Sequence, residues 1–111
     1  MATSMVTGGT SGIGREFVTQ LASRGDDIVI VARDTTRMAQ IKKQIEARYG
    51  VSVETIQADL SNRHAVASVA ERLEDSDSPI DLLVNDAGFA VHAKILDPDS
   101  LELQNRAFEV M

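Results

Sequence analysis

The sequence predicts an α/β fold, a three-layer, doubly wound parallel sheet. Three observations carry that prediction. Short apolar runs alternate with longer segments whose apolar residues recur at helical spacing, in the order βαβαβαβα. The second run, Asp27–Ala32 (DIVIVA), is almost continuously apolar, as in a strand covered on both faces. A turn dense in glycine, Thr7–Gly14 (TGGTSGIG), lies between the first run and the first helix. Strands joined by helical crossovers lie parallel, and the crossovers are right-handed.

The elements follow in order. Ala2–Thr7 is short, tolerant of β structure and bounded by glycines, so it reads as a strand. From Gly12 to Arg24, Ile13, Phe17, Val18 and Leu21 recur at helical spacing. Thr10 or Ser11 caps that helix and Gly25 ends it. After the strand Asp27–Ala32, Met38, Ile41, Ile45 and Tyr49 form one helical stripe, with Asp34 as N-cap and Gly50 as stop. Val51–Ala58 returns to strand character. Val66, Val69, Ala70 and Leu73 mark a third helix, opened by Ser61 or Asn62. Ser76–Pro79 is a turn, and Ile80–Asn85 is a fourth strand. Residues 86–100 read as a loop. A last amphipathic helix is expected from about Asp99 onward, with the chain stopping mid-fold and one sheet edge uncovered. No internal repeat, low-complexity tract or linker divides the chain, so residues 1–111 are expected to form one domain.

Composition narrows the function classes. Hydrophobic residues make up 43% and charged residues 25%, the balance of a soluble globular protein. The formal net charge of −6 argues against a nucleic-acid partner, which needs clustered Lys and Arg. Without cysteine there is no disulfide, thiolate metal site or catalytic thiol. No apolar run spans a membrane, and no basic segment followed by an apolar core opens the chain. A cytoplasmic protein is the expectation.

The glycines have a physical use. Unpaired N–H groups at a helix N-terminus, with the positive end of the helix dipole, bind phosphate if it comes close. Gly8 would turn the chain tightly, Gly12 would let a pyrophosphate approach, and Gly14 would let the helix pack on the sheet. Gly9 has no role here beyond flexibility. A plain capped turn is the competing reading. The preceding strand and following helix are the context a dinucleotide site requires.

With the spacing Gly-x-x-x-Gly-x-Gly on the page, VTGGTSGIG resembles the cofactor-binding signature of the short-chain dehydrogenase/reductase family. VARD (Val31–Asp34), ADL (Ala58–Leu60) and LVNDAG (Leu83–Gly88) resemble three more of its motifs, in order. The resemblance implies a Rossmann fold with strand order 3-2-1-4. It also implies cofactor contacts from Gly8, Thr10, Ser11, Gly12, Ile13 and Gly14 of the glycine loop. Asp59 is the implied adenine contact, with Leu60 lining the adenine pocket. Asn85 is implied to brace the sheet, and Ala87 and Gly88 to line the cofactor. Asp86 stands where the family's second Asn sits and adds negative charge near a polyphosphate.

The end of the second strand reads the adenosine ribose: an acidic residue there suits NAD, an Arg suits NADP. Arg33 is the first residue after that strand, and Asp34 is better explained as a helix cap. NADP(H) is therefore the expected cofactor, ahead of NAD, with Arg15 a further source of positive charge. The family's catalytic Tyr-x-x-x-Lys is not matched. The single tyrosine, Tyr49, lies on the buried stripe of its helix, and position 53 is Val. Ser4 and Ser11 belong to the first strand and the glycine loop, so neither is a catalytic Ser. Asn105 is the candidate for the family's supporting Asn, although the register of Phe108–Met111 puts Met111 there. His64 and His92 are isolated and read as solvated, and no cluster has metal-ligand spacing.

The expected function is hydride transfer between NADP(H) and a small-molecule alcohol or carbonyl substrate. These residues would supply the cofactor-binding part, inactive alone, of a homo-oligomeric enzyme. The alternative is a noncatalytic nucleotide-binding or dimerising interaction module.

Overall fold

The computed structural model describes residues 2–10, 12–59 and 61–85, and the backbone of 102–104. Its elements are β1 (Thr3–Thr7), α1 (Gly12–Ser23), β2 (Asp27–Ala32), α2 (Thr35–Tyr49), β3 (Val53–Gln57), α3 (Arg63–Glu74), β4 (Leu82–Asn85) and β5 (Glu102–Gln104). All the strands pair in parallel, in the order β3-β2-β1-β4-β5. The predicted order 3-2-1-4 and the three helices between those strands are as the sequence implied.

The last element corrects the sequence reading. Glu102–Gln104, expected within a helix, forms a strand on the free edge of β4, with Leu82 facing Glu102 and Leu83 facing Leu103. Within the segment LELQ, apolar and polar residues alternate, which is the strand period. An open row of β4 backbone groups rewards that period more than helix propensity opposes it. The edge expected to be bare is therefore paired at β4.

Two apolar layers cover the sheet. Val6, Ile28, Ile30 and Val84 face α1 and α2, where they meet Val18, Leu21, Met38, Ile41 and Ile45. Met5, Val29, Val31 and Leu83 face the other way and pack with Val69 of α3. The alternation along β2 explains its continuous apolar run: every side chain of Ile28–Val31 is at most 1% exposed. Asp34 caps α2 by accepting from Arg37 N at 3.0 Å, and Gly50 closes it at φ 70°. Asn62, not Ser61, caps α3, its Oδ1 accepting from His64 N and Ala65 N.

Polar ties lock the layers. Buried Asp26 accepts from the Ser4 hydroxyl at 3.0 Å and pairs with Arg24 at 2.7 Å. Across the sheet, α3 offers only Val69 as a fully buried side chain, so Arg72 carries part of its attachment. The Arg72 guanidinium reaches Glu54 of β3 at 3.0 Å, the Ser78 carbonyl at 2.6 Å and the Ser78 hydroxyl at 3.1 Å. Arg72→Ala should lower the unfolding free energy by about 1–3 kcal/mol in chemical denaturation. Arg72→Lys should recover only part, because one ammonium cannot span both partners. An unchanged midpoint in Arg72→Ala would show that α3 is held by packing alone.

Candidate functional site

The register brings the predicted motifs to one edge. Thr7 pairs with Val31 and with Asn85, and Ala32 pairs with Gln57. The chain thus leaves β1, β2, β3 and β4 on the same side, at Gly8, Arg33, Ala58 and beyond Asn85. In open α/β sheets this carboxyl edge, where the connections diverge, is where ligands bind. Here the divergence lies between β1 and β4.

The glycine loop is built by backbone needs. Gly8 N donates to Val31 O at 2.8 Å, extending the ladder one residue before the chain turns at φ 76°. Gly12 opens α1 at φ 57°, and a Cβ there would meet nothing within 4 Å. That open space beside a helix N-terminus fits an approaching phosphate. Ile13, at 48% exposure, is the exposed large hydrophobic residue among those described, and it flanks the same opening. Gly14 is buried, as expected of a residue between helix and sheet.

Gly9 is the residue that sequence reasoning missed. A Cβ at Gly9 would lie 3.0 Å from Ile30 Cγ2 and 3.2 Å from Val18 Cγ2. Both neighbours are fully buried, so this glycine lets the turn settle onto β2 and α1. No local pattern signals it, because the neighbours are distant in sequence.

At the floor of the edge, Thr7 Oγ1 donates to Asn85 Oδ1 at 2.9 Å, and both residues are fully buried. This bond ties β1 to β4 where the crevice opens, the bracing that the resemblance implied for Asn85. On the other flank Arg33 is exposed directly after β2, and its carbonyl accepts from Gln57 Nε2. Asp59, exposed after β3, accepts on one oxygen from Ser61 N at 3.0 Å and from Ser61 Oγ at 2.6 Å. Those two bonds, with a smaller contribution from the Arg33 guanidinium, hold its carboxyl below the usual Asp value. Asn62 caps α3, so the Asp59 side chain is not spent on that helix.

Arg15 turns elsewhere: its guanidinium donates to Gln44 Oε1 of α2 at 2.8 Å. Tyr49 packs partly buried against the α1–α2 core, and His64 is exposed at the start of α3. Thr10 is half-buried on the loop. Ser11, Leu60, Asp86, Ala87, Gly88, His92, Asn105 and Met111 lie outside the described residues. Among the described residues no cluster of His, Asp or Glu can hold a metal ion, and no helix is long and apolar enough to cross a membrane.

The chain matches the family model of short chain dehydrogenases over residues 2–111. It belongs to the short-chain dehydrogenase family. An uncharacterised oxidoreductase of Staphylococcus saprophyticus is 33% identical over 96 residues, covering 86% of this chain and 41% of the relative. Among solved structures, a short-chain dehydrogenase from Sphingobium yanoikuyae in complex with NADPH superposes with a TM-score of 0.75 at 41% identity, covering 81% of this chain and 35% of the other. The bulky-bulky ketone specific alcohol dehydrogenase of Comamonas testosteroni gives a TM-score of 0.75 at 36% identity, covering 83% of this chain and 36% of the other. This dehydrogenase-family chain thus spans about two fifths of the first relative's length and about a third of the two solved chains.

Proposed function

We propose that the chain forms the cofactor-binding part of an NADP(H)-dependent oxidoreductase. The observation that carries the cofactor choice is the contrast between Arg33 and Asp34. The Asp34 carboxylate is turned into α2, accepting from Arg37 N, while Arg33 stands exposed at the end of β2. A ribose arriving there meets a guanidinium rather than a carboxylate, which suits a 2′-phosphate. The NADPH complex of the Sphingobium relative supports the same reading.

In this reading the pyrophosphate lies over Gly12 at the α1 N-terminus, with Gly8, Thr10, Ser11, Ile13 and Gly14 around it. Asp59 and Leu60 take the adenine, and Asn85, Ala87 and Gly88 border the crevice. When bound, the cofactor supplies or accepts hydride; these residues bind and orient it. Reaction at a carbonyl also needs a proton donor at its oxygen. Tyr49 is packed against the α1–α2 core and is no such donor, and the sequence carries no Tyr-x-x-x-Lys, so in this reading the segment alone is inactive. The substrate is an alcohol or carbonyl compound, as the ketone-specific relative suggests.

The test is a titration of NADPH and NADH against the wild-type protein and Arg33→Ala. Loss of the guanidinium should weaken NADPH by about 10- to 100-fold, with NADH little changed. Equal losses for both cofactors would sink the NADP(H) assignment. No binding of either would sink the dinucleotide site itself.

A further inference from the structure

We propose that Ser61 is a positioning residue for the adenine end of the site, aiming the Asp59 carboxylate at the base. The proposal rests on the cofactor reading above. Ser61 gives both its N–H and its hydroxyl to the same oxygen, Asp59 Oδ1, at 3.0 and 2.6 Å. Two donors on one oxygen fix the rotation of the carboxylate. They leave Oδ2 with no hydrogen-bond partner among the described residues, as an acceptor for an exocyclic amine.

The lock is not needed to start α3. Asn62 Oδ1 already takes His64 N at 2.8 Å and Ala65 N at 3.4 Å. Nor is it a burial effect, since Asp59 and Ser61 are both exposed at the carboxyl edge. An exposed Asp otherwise samples several rotamers, and freezing one in advance lowers the entropy lost on binding. The same two bonds hold the carboxyl below its ordinary range, so it stays an acceptor to lower pH than a free Asp. The other charged group acting on it is Arg33, across the ends of β2 and β3, and it works in the same direction.

The experiment compares NADPH with its hypoxanthine analogue, in which a carbonyl replaces the 6-amino group. Wild type should prefer NADPH. Ser61→Ala should shrink that preference by about 3- to 10-fold, the worth of one hydrogen bond. Ser61→Thr, which keeps the hydroxyl, should restore it. The acid limb of the preference should also move to higher pH in Ser61→Ala, because Asp59 then protonates nearer its ordinary range. Equal weakening of both ligands, or no change in the preference, overturns the proposal while leaving the cofactor reading intact. A wild-type protein that binds neither NADPH nor NADH overturns both.

Discussion

Gly9→Val should abolish stable folding or lower the denaturation midpoint by most of its value. A Cβ alone would sit 3.0 Å from Ile30 Cγ2 and 3.2 Å from Val18 Cγ2. Neither neighbour can retreat, since Ile30 and Val18 are 0% exposed and packed on all sides. Overpacking by a single methyl costs about 1–3 kcal/mol, and valine adds two more carbons in the same gap. A domain of this size has only about 5–15 kcal/mol to lose. Gly9→Ala is the graded partner, expected at about 1–3 kcal/mol. Urea denaturation with an unchanged m-value reads both. A Gly9→Val midpoint equal to wild type would mean that the loop stands clear of β2 and α1.

Gly12→Ala should leave the fold nearly as stable as a matched control and yet lose cofactor affinity. The control is Gly50→Ala. Gly12 has φ 57° and Gly50 has φ 70°, and a Cβ at either meets nothing within 4 Å. Both substitutions therefore carry the same left-handed strain, about 1–2 kcal/mol, and nothing else inside the chain. They differ in place: Gly50 closes α2, while Gly12 opens α1 at the carboxyl edge. A methyl group at Gly12 fills the approach to the helix N-terminus, and NADPH affinity should fall about 10- to 100-fold. Gly50→Ala should leave it unchanged. Parallel behaviour of the two variants, in stability and in binding alike, would remove Gly12 from the site.

Much of this was legible because it is local. The period of Met38, Ile41 and Ile45, the cap at Asp34 and the stop at Gly50 fixed α2 to the residue. The continuous run Ile28–Val31 announced a strand covered on both faces. The glycine spacing, with VARD, ADL and LVNDAG behind it, pointed to the carboxyl edge and to the family. What was hidden is what only assembly creates. The role of Gly9 depends on Ile30 and Val18, which nothing near Gly9 encodes. The division of labour between Asp59 and Asn62 depends on which side chain the first turn of α3 accepts as its cap. Residues 102–104 were read by helical period, but three residues seldom decide between periods. The open edge of β4 decided it.

The bond between Thr7 and Asn85 joins residues 78 positions apart, on the strand at the centre of the sheet and the strand that walls it in. Of these strands the central one, β1, comes first in the sequence and its second neighbour, β4, fourth. Pairing of β1 with β2 needs only residues up to 32, whereas its pairing with β4 needs residues 82–85. Its other side stays an unpaired apolar edge until residue 85 has left the ribosome. In that interval β1 is an open edge beside β2 and β3, a template for pairing with another copy. Slow elongation between residues 58 and 82 would lengthen that exposure, and crowding on a polysome would bring the edges of neighbouring chains together.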